Sequence, residues 1–238
     1  MNEMMPVGAS DTGADKEQNM YRDIYDAIMD HRLPARTKLT EQSLSQIYDM
    51  ARHGVRKVLN QLAADGLVDL EPNRGAFIAS PDEKEAEDMF ELRQSLEQLV
   101  VERVLSHANS KAIDGLRKMV ERERDAYEKG DRPQWIRLSA DFHIELARLS
   151  GNELLVEVLR RLVSRTTLLI SSQEVPAARP CSFDEHLRVV DALARQDKKA
   201  AVTEMAQHLQ QCACRTPKNV SKGFDLKAVL KKNRSEAT

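Results

Sequence analysis

From Ala51 to Ala64 (ARHGVRKVLNQLAA) the chain carries no acidic residue, and its side chains sort onto separate faces of one helix. Val55, Val58, Leu59 and Leu62 recur at i, i+3, i+4 and i+7, the spacing of an apolar helical stripe. Arg52, Arg56 and Asn60 run four apart on another face, flanked by His53 and Lys57. Gly66 suits the position just past a helix end, where φ turns positive without a Cβ penalty. Leu67–Leu70 and Ala76–Ala79 read as short strands around the turn residues Pro72, Asn73 and Gly75, with Arg74 at the tip. A short helix, a basic helix and a basic hairpin in that order are how a winged helix-turn-helix presents charge to DNA. A charged helix face is by itself more often plain solvated surface. The hairpin and the preceding helix are what favour the DNA-binding reading.

Bulk properties narrow the rest. A chain of 238 residues holds one large domain or two modest ones, and 41% hydrophobic content is enough for real cores. The formal net charge of −2 excludes polyanion binding by composition, so a nucleic-acid site must be a local patch. Cys181, Cys212 and Cys214 make neither a disulfide framework nor a zinc ribbon, the C-A-C spacing being too tight for paired thiolates. They read as reduced thiols of a cytosolic protein. With no secretory signal pattern and no apolar run of spanning length, the expectation is a soluble cytoplasmic chain without a membrane partner.

The order of segments predicts a mainly α protein with an N-terminal winged helix-turn-helix, a small β-hairpin wing and a C-terminal antiparallel helical bundle. Residues 1–17 are small, polar and acidic and are expected to be disordered. Residues 18–80 form the DNA-binding domain. Met20, Ile24, Ala27 and Ile28 mark its first helix, His31–Lys38 is read as a loop, Thr40 caps a second helix, and Leu44 and Ile47 supply that helix's buried face. Residues 81–87 are read as a linker. Residues 88–216 hold helices near 88–107, 111–129, 134–149, 153–171, 183–195 and 198–215. Asp131, Asn152 and Asp197 are placed to cap helices, and Ser182 with Glu185 has capping-box spacing. Short connections favour antiparallel neighbours, hence a bundle. Residues 217–238 form a tail whose segment Phe224–Leu230 is expected to dock on that bundle.

The segment from Ile24 to Ile78, within a match over about residues 20–80, resembles the winged helix-turn-helix of the GntR family of bacterial transcription regulators. The specific parts are Arg52, Val55 and Arg56; Leu62, Asp65, Gly66, Leu67 and Val68; and the wing with Arg74 and Gly75. The helical half resembles the FCD ligand-binding domain of the FadR-type branch, through ELRQSLE (Glu91–Glu97), FHIELARLSGN (Phe142–Asn152), DEHLRVVDAL (Asp184–Leu193) and His208-Leu209. Six bundle helices are closer to the VanR-like subgroup than to the seven-helix form. The chain departs from the family at Ala51, where Ser or Thr is usual, at Gly54, in a region where Pro is usual, and at Lys57, where Glu is usual. These departures bear on operator sequence, since both arginines and the wing remain.

The resemblance implies a dimeric regulator, a repressor by expectation, that binds a palindromic double-stranded operator and responds to a small carboxylate metabolite. Arg52 and Arg56 are base-edge candidates, because a guanidinium can fork onto guanine. His53, Lys57, Arg74 and Gly75 complete the expected DNA contacts. His143, His186 and His208, on three different helices, are the implied ligands of a divalent zinc, nickel or manganese ion. Metal-binding members carry an aspartate four residues before the first histidine; here that residue is Ser139, and Asp141 points to another side of the helix. Arg93, Ser139, Arg165 and Asn152 are the candidate effector contacts. For Arg93 the alternative is a surface ion pair with Glu97 at i+4; for Arg165 and Thr166 it is a helix–helix contact. Two other functions stay open on the sequence: a metal-dependent enzyme built on the three histidines, with no obvious carboxylate base beside them, and a helical adaptor.

Overall fold

The computed structural model describes residues 13–30, 32–171 and 182–214, together with Leu226, Val229 and Leu230. The chain opens with α1 (Gly13–Met29), then β1 (Lys38–Leu39), α2 (Glu41–Tyr48), α3 (Arg52–Ala64), β2 (Val68–Glu71) and β3 (Gly75–Ile78). Every apolar position assigned to these helices is buried, from Met20 and Ile24 on α1 to Leu59 and Leu62 on α3. Thr40 caps α2 by accepting the Ser43 amide through Oγ1. Asp49 ends that helix in the left-handed region, which sets the tight turn into α3.

The sheet has one more strand than the hairpin predicts. β1 pairs antiparallel with β3, Lys38 opposite Phe77 and Leu39 opposite Ala76, so the strand order is β1-β3-β2. Lys38 falls at the end of the segment expected as loop and Leu39 just beyond it, and two residues are too few to show an alternating pattern. The helical start is also earlier than expected. Residues 13–17 belong to α1, because Lys16 and Glu17 find ion-pair partners in Asp49 and Lys57 of the helix-turn-helix.

The second half consists of α4 (Glu83–His107), α5 (Ser110–Glu128), α6 (Arg132–Leu149), α7 (Glu153–Ser171), α8 (Ser182–Ala194) and α9 (Lys198–Ala213). Residues 83–87 are the first turn of α4 rather than a linker: Asp82 caps the helix through the Glu85 amide, and Glu83 and Glu85 suit its positive N-terminal end. Asp131 and Asp197 cap α6 and α9, as their spacing suggested. Leu116, Phe142, Leu146, Leu159, Val189 and Leu193 fill the bundle core.

The tail docks elsewhere than expected. Leu230 is fully buried in the apolar cluster of the winged-helix domain, with Leu226 and Val229 packed against it. Arg32 Nη1 donates to the Val229 carbonyl at 3.4 Å. That cluster also takes in Ile136 from α6 and Leu168 from α7, so the two halves share apolar surface at their junction. Gly66 closes the same junction. At φ +78° a side chain is strained, and a Cβ there would stand 2.7 Å from Arg165 Cγ on α7.

Candidate DNA interface and buried histidine centre

Helix α3 keeps its apolar stripe inward and leaves Arg52, His53, Arg56, Lys57 and Asn60 exposed. Ala51 offers no side-chain cap to the first turn of α3, where the Gly54 amide bonds the Ala51 carbonyl at 3.0 Å. Arg56 is held by a two-pronged ion pair, Nε and Nη2 each 2.9 Å from the Glu41 carboxylate on α2. Arg74 and Gly75 are exposed at the wing. Arg36, Lys38 and Arg74 crowd the ring of Phe77 at 5.6, 5.7 and 5.5 Å. Arg36 and Lys38 thus enlarge the basic wing, a contribution hidden in the sequence because β1 read as loop.

The second site lies inside the bundle. α6 carries His143, α8 His186 and α9 His208, all three buried. His208 Nε2 stands 3.2 Å from His186 Nε2 and 3.1 Å from His143 Nε2. The opposite nitrogen of each ring meets a buried carboxylate. His143 Nδ1 lies 2.5 Å from Glu97, His186 Nδ1 2.8 Å from Glu123 and His208 Nδ1 2.7 Å from Glu185. A carboxylate accepts, so each Nδ1 carries the proton and each Nε2 lone pair faces the common centre. Phe142 stacks on His186, ring centroids 4.1 Å apart, and fixes that ring from the side.

The carboxylates were not legible as partners. In the sequence Glu97 reads only as a possible surface mate of Arg93, Glu123 sits in the charge-dense run VERERD, and Glu185 reads as half of a capping box. The structure spends Ser182 and Glu185 on the centre: Ser182 Oγ donates to Glu123 at 2.5 Å. The absence of a carboxylate beside the histidines, expected from the sequence, is therefore corrected threefold.

Arg93 is buried rather than superficial. Its Nε donates to Glu97 at 2.7 Å and its Nη1 to Thr166 Oγ1 at 2.7 Å, while Nη2 has no partner among the described residues. Glu97 bridges Arg93 and His143. Burial alone would raise its carboxyl, but these two neighbours outweigh it and hold it at about 2. Burial pushes the His143 imidazole down to about 4, against the pull of Glu97.

The remaining candidates separate. Ser139, half-buried, bonds Ser182 Oγ at 3.2 Å and so reaches the centre through Ser182 and Glu123. Asn152 turns its Oδ1 to the Leu154 and Leu155 amides and caps α7. Arg165 points to the junction, its Nη1 on Asp69 at 2.9 Å and its Nη2 on Glu85 at 2.5 Å. It joins α7 to the wing and to the first turn of α4.

A basic recognition helix with a wing, carried on a six-helix domain, defines a DNA-binding transcription regulator. Residues 16–78 match the bacterial regulatory proteins of the gntR family, and residues 88–211 match the FCD domain. The chain belongs to the GntR family and carries an FCD domain. It is 25% identical over 197 residues to the HTH-type transcriptional repressor RspR of Escherichia coli K12, across 82% of this chain and 86% of the relative. It is 26% identical to the HTH-type transcriptional regulator YdhC of Bacillus subtilis, across 72% and 77%. E. coli McbR/YncC shares the fold at a TM-score of 0.70 and 19% identity, over 82% of this chain and 94% of that one. The matched families and relatives are transcription regulators, which sets aside the enzyme and adaptor readings.

Proposed function

We propose that this chain is a metabolite-responsive repressor that binds a palindromic operator as a homodimer, through Arg52, His53, Arg56, Lys57, Arg74 and Gly75. Its bundle binds a small organic acid beside a divalent metal held by His143, His186 and His208. The observation that carries this reading is the convergence of three Nε2 atoms whose Nδ1 partners are all buried carboxylates. The lone pair on His208 Nε2, 3.1 and 3.2 Å from the Nε2 atoms of His143 and His186, repels theirs unless a cation lies between them. Carboxylate-backed imidazoles are the usual outer support of a metal ligand, since they fix the ring and raise its basicity. Among the described residues in contact with the centre, three buried carboxylates stand against the guanidinium of Arg93 and leave the centre net negative, a field that favours a cation.

When bound, the metal would supply a Lewis-acidic position for an effector oxygen. The chain's own residues supply the rest. Arg93 holds a buried donor, Nη2, ready for a carboxylate, because a buried N–H needs an acceptor. Ser139 offers a hydroxyl half-buried above the same network. Arg165 and Asn152 act at a distance, by holding α7. Six bundle helices among the described residues support placing the chain in the VanR-like subgroup. Exposed Leu92 and Leu99 on α4, with Leu154 and Val158 on the neighbouring α7, supply an apolar face for a second copy.

Metal analysis of freshly purified protein, followed by chelation and zinc titration, tests the centre. Operator selection from random DNA, then release by a panel of organic acids with and without metal, tests the response. Protein that binds no zinc, nickel or manganese yet still releases DNA to an acid would remove the metal from this reading.

A further inference from the structure

We infer that Cys212 supplies a fourth, sulfur ligand to the metal of the histidine centre, which makes the site selective for borderline-soft cations. The inference rests on the metal reading above and deepens it. Cys212 lies one helical turn beyond His208 on α9, the i, i+4 spacing that puts both on one face. It is 5% exposed. Its Sγ stands 3.5 Å from His208 Nε2, the atom that meets the other two histidines, and 4.0 Å from Nδ1 of the same ring.

The spacings about His208 match one edge of a tetrahedral zinc-type shell, while Sγ stands outside the group that the three histidines form together. Metal–nitrogen bonds of about 2.05 Å and a metal–sulfur bond of about 2.3 Å place two nitrogens about 3.3 Å apart and nitrogen and sulfur about 3.6 Å apart. The structure has 3.1 and 3.2 Å between nitrogens and 3.5 Å from nitrogen to sulfur. The thiol sits alongside the His208 ring, and coordination would require a turn about its Cα–Cβ bond toward the three Nε2 atoms. Glu97, Glu123 and Glu185 each face an Nδ1, on the far side of a ring from the three Nε2 atoms, and Glu185 also lies within reach of the Cys212 sulfur. The Ser139 hydroxyl bonds Ser182 instead.

Coordination forms the sulfur–metal bond and breaks the S–H bond, and the proton leaves to solvent. One thiolate among three imidazoles favours zinc, cobalt(II) and nickel over manganese, which prefers oxygen donors. The effector then adds to a four-coordinate metal rather than filling a gap in a three-coordinate one.

Cobalt(II) reports both levels separately. All proteins carry Cys181→Ser and Cys214→Ser, so that one thiol remains. Cobalt(II) added to the chelator-stripped full chain should give visible ligand-field bands and a near-ultraviolet sulfur-to-cobalt charge-transfer band. Cys212→Ser, nearly isosteric, should keep the visible bands, lose the near-ultraviolet band and bind zinc about tenfold or more weaker, at least the loss expected for an outer-shell partner. Cys212→Ala should behave the same, and circular dichroism should show both variants folded. Visible bands without the charge-transfer band in the Cys212 protein would overturn the sulfur ligand and leave the three-histidine centre standing. No cobalt(II) uptake at all would overturn the metal reading itself.

Discussion

Arg165 and Thr166 are consecutive on α7 and serve opposite halves of the molecule. Thr166 Oγ1 accepts from Arg93 at 2.7 Å, and Arg93 leads through Glu97 to His143. Arg165 reaches Asp69 on β2 at 2.9 Å and the Gly66 carbonyl at 3.4 Å. One turn of helix therefore touches both the buried centre and the DNA-binding domain. A ligand moves an equilibrium only by its difference in affinity for two arrangements, and this turn is where the centre could favour one.

Arg165→Gln should accordingly uncouple the halves. The variant loses ion pairs to the partly exposed Asp69 and Glu85 and the hydrogen bond to the Gly66 carbonyl, together about 1.5–3 kcal/mol of stability after solvent screening. Metal uptake should be unchanged, while effector-driven release from DNA should be blunted. Chemical denaturation and an operator titration with and without effector measure both. A variant that releases DNA like the parent would show that coupling runs elsewhere.

Arg52→Ala and Arg56→Ala should each weaken specific operator binding about tenfold or more if they read base edges. Lys57→Ala should weaken binding to all sequences and flatten its salt dependence. The Glu41 clamp on Arg56 is solvent-exposed and should give way readily to DNA. Wild-type electrophoretic shifts from the double arginine variant would mean that α3 is not the recognition helix.

Chelated protein should lose stability as pH falls below neutrality. Folded His143 takes up its proton only near 4, against an ordinary 6.5, so the unfolded chain binds more protons across that interval. Folded Glu97 does so only near 2, against 4.5, which extends the loss downward. Both groups act in the same direction: their stabilisation is complete above 6.5 and declines toward 4 and then 2. Thermal melts between pH 7 and 4 should show a falling midpoint, and a flat profile would contradict the assignment.

Leu230→Ala should cost about 2–5 kcal/mol, the range for truncating a buried leucine. The loss should appear in the winged-helix domain, whose core receives this side chain, and should lower operator affinity at elevated temperature. An unchanged melting curve would mean that the tail does not dock there in solution.

Leu99→Asp combined with Leu154→Asp should shift the protein from dimer to monomer in light scattering and weaken operator binding. Each new charge would have to be buried in an apolar contact between copies. A stable dimer in this double variant would place the interface on another face.

Much of this was readable from residue order. The apolar stripes at Met20–Ile28 and Val55–Leu62 fixed both helices and their inner faces, since 3.6-residue periodicity is a local property of the chain. Asp131 and Asp197 announced helix starts for the same reason. The hairpin was legible from Pro72, Asn73 and Gly75. Tertiary structure alone decided that Glu97, Glu123 and Glu185 back the three histidines, because a buried glutamate on a charged helix has the same local pattern as a solvated one. It alone decided that Arg93 turns inward while Arg165 turns to the wing, and that Leu230 returns to the first domain. Each of these depends on which distant surface removes a side chain from water, and that free energy is set by partners far away in the sequence.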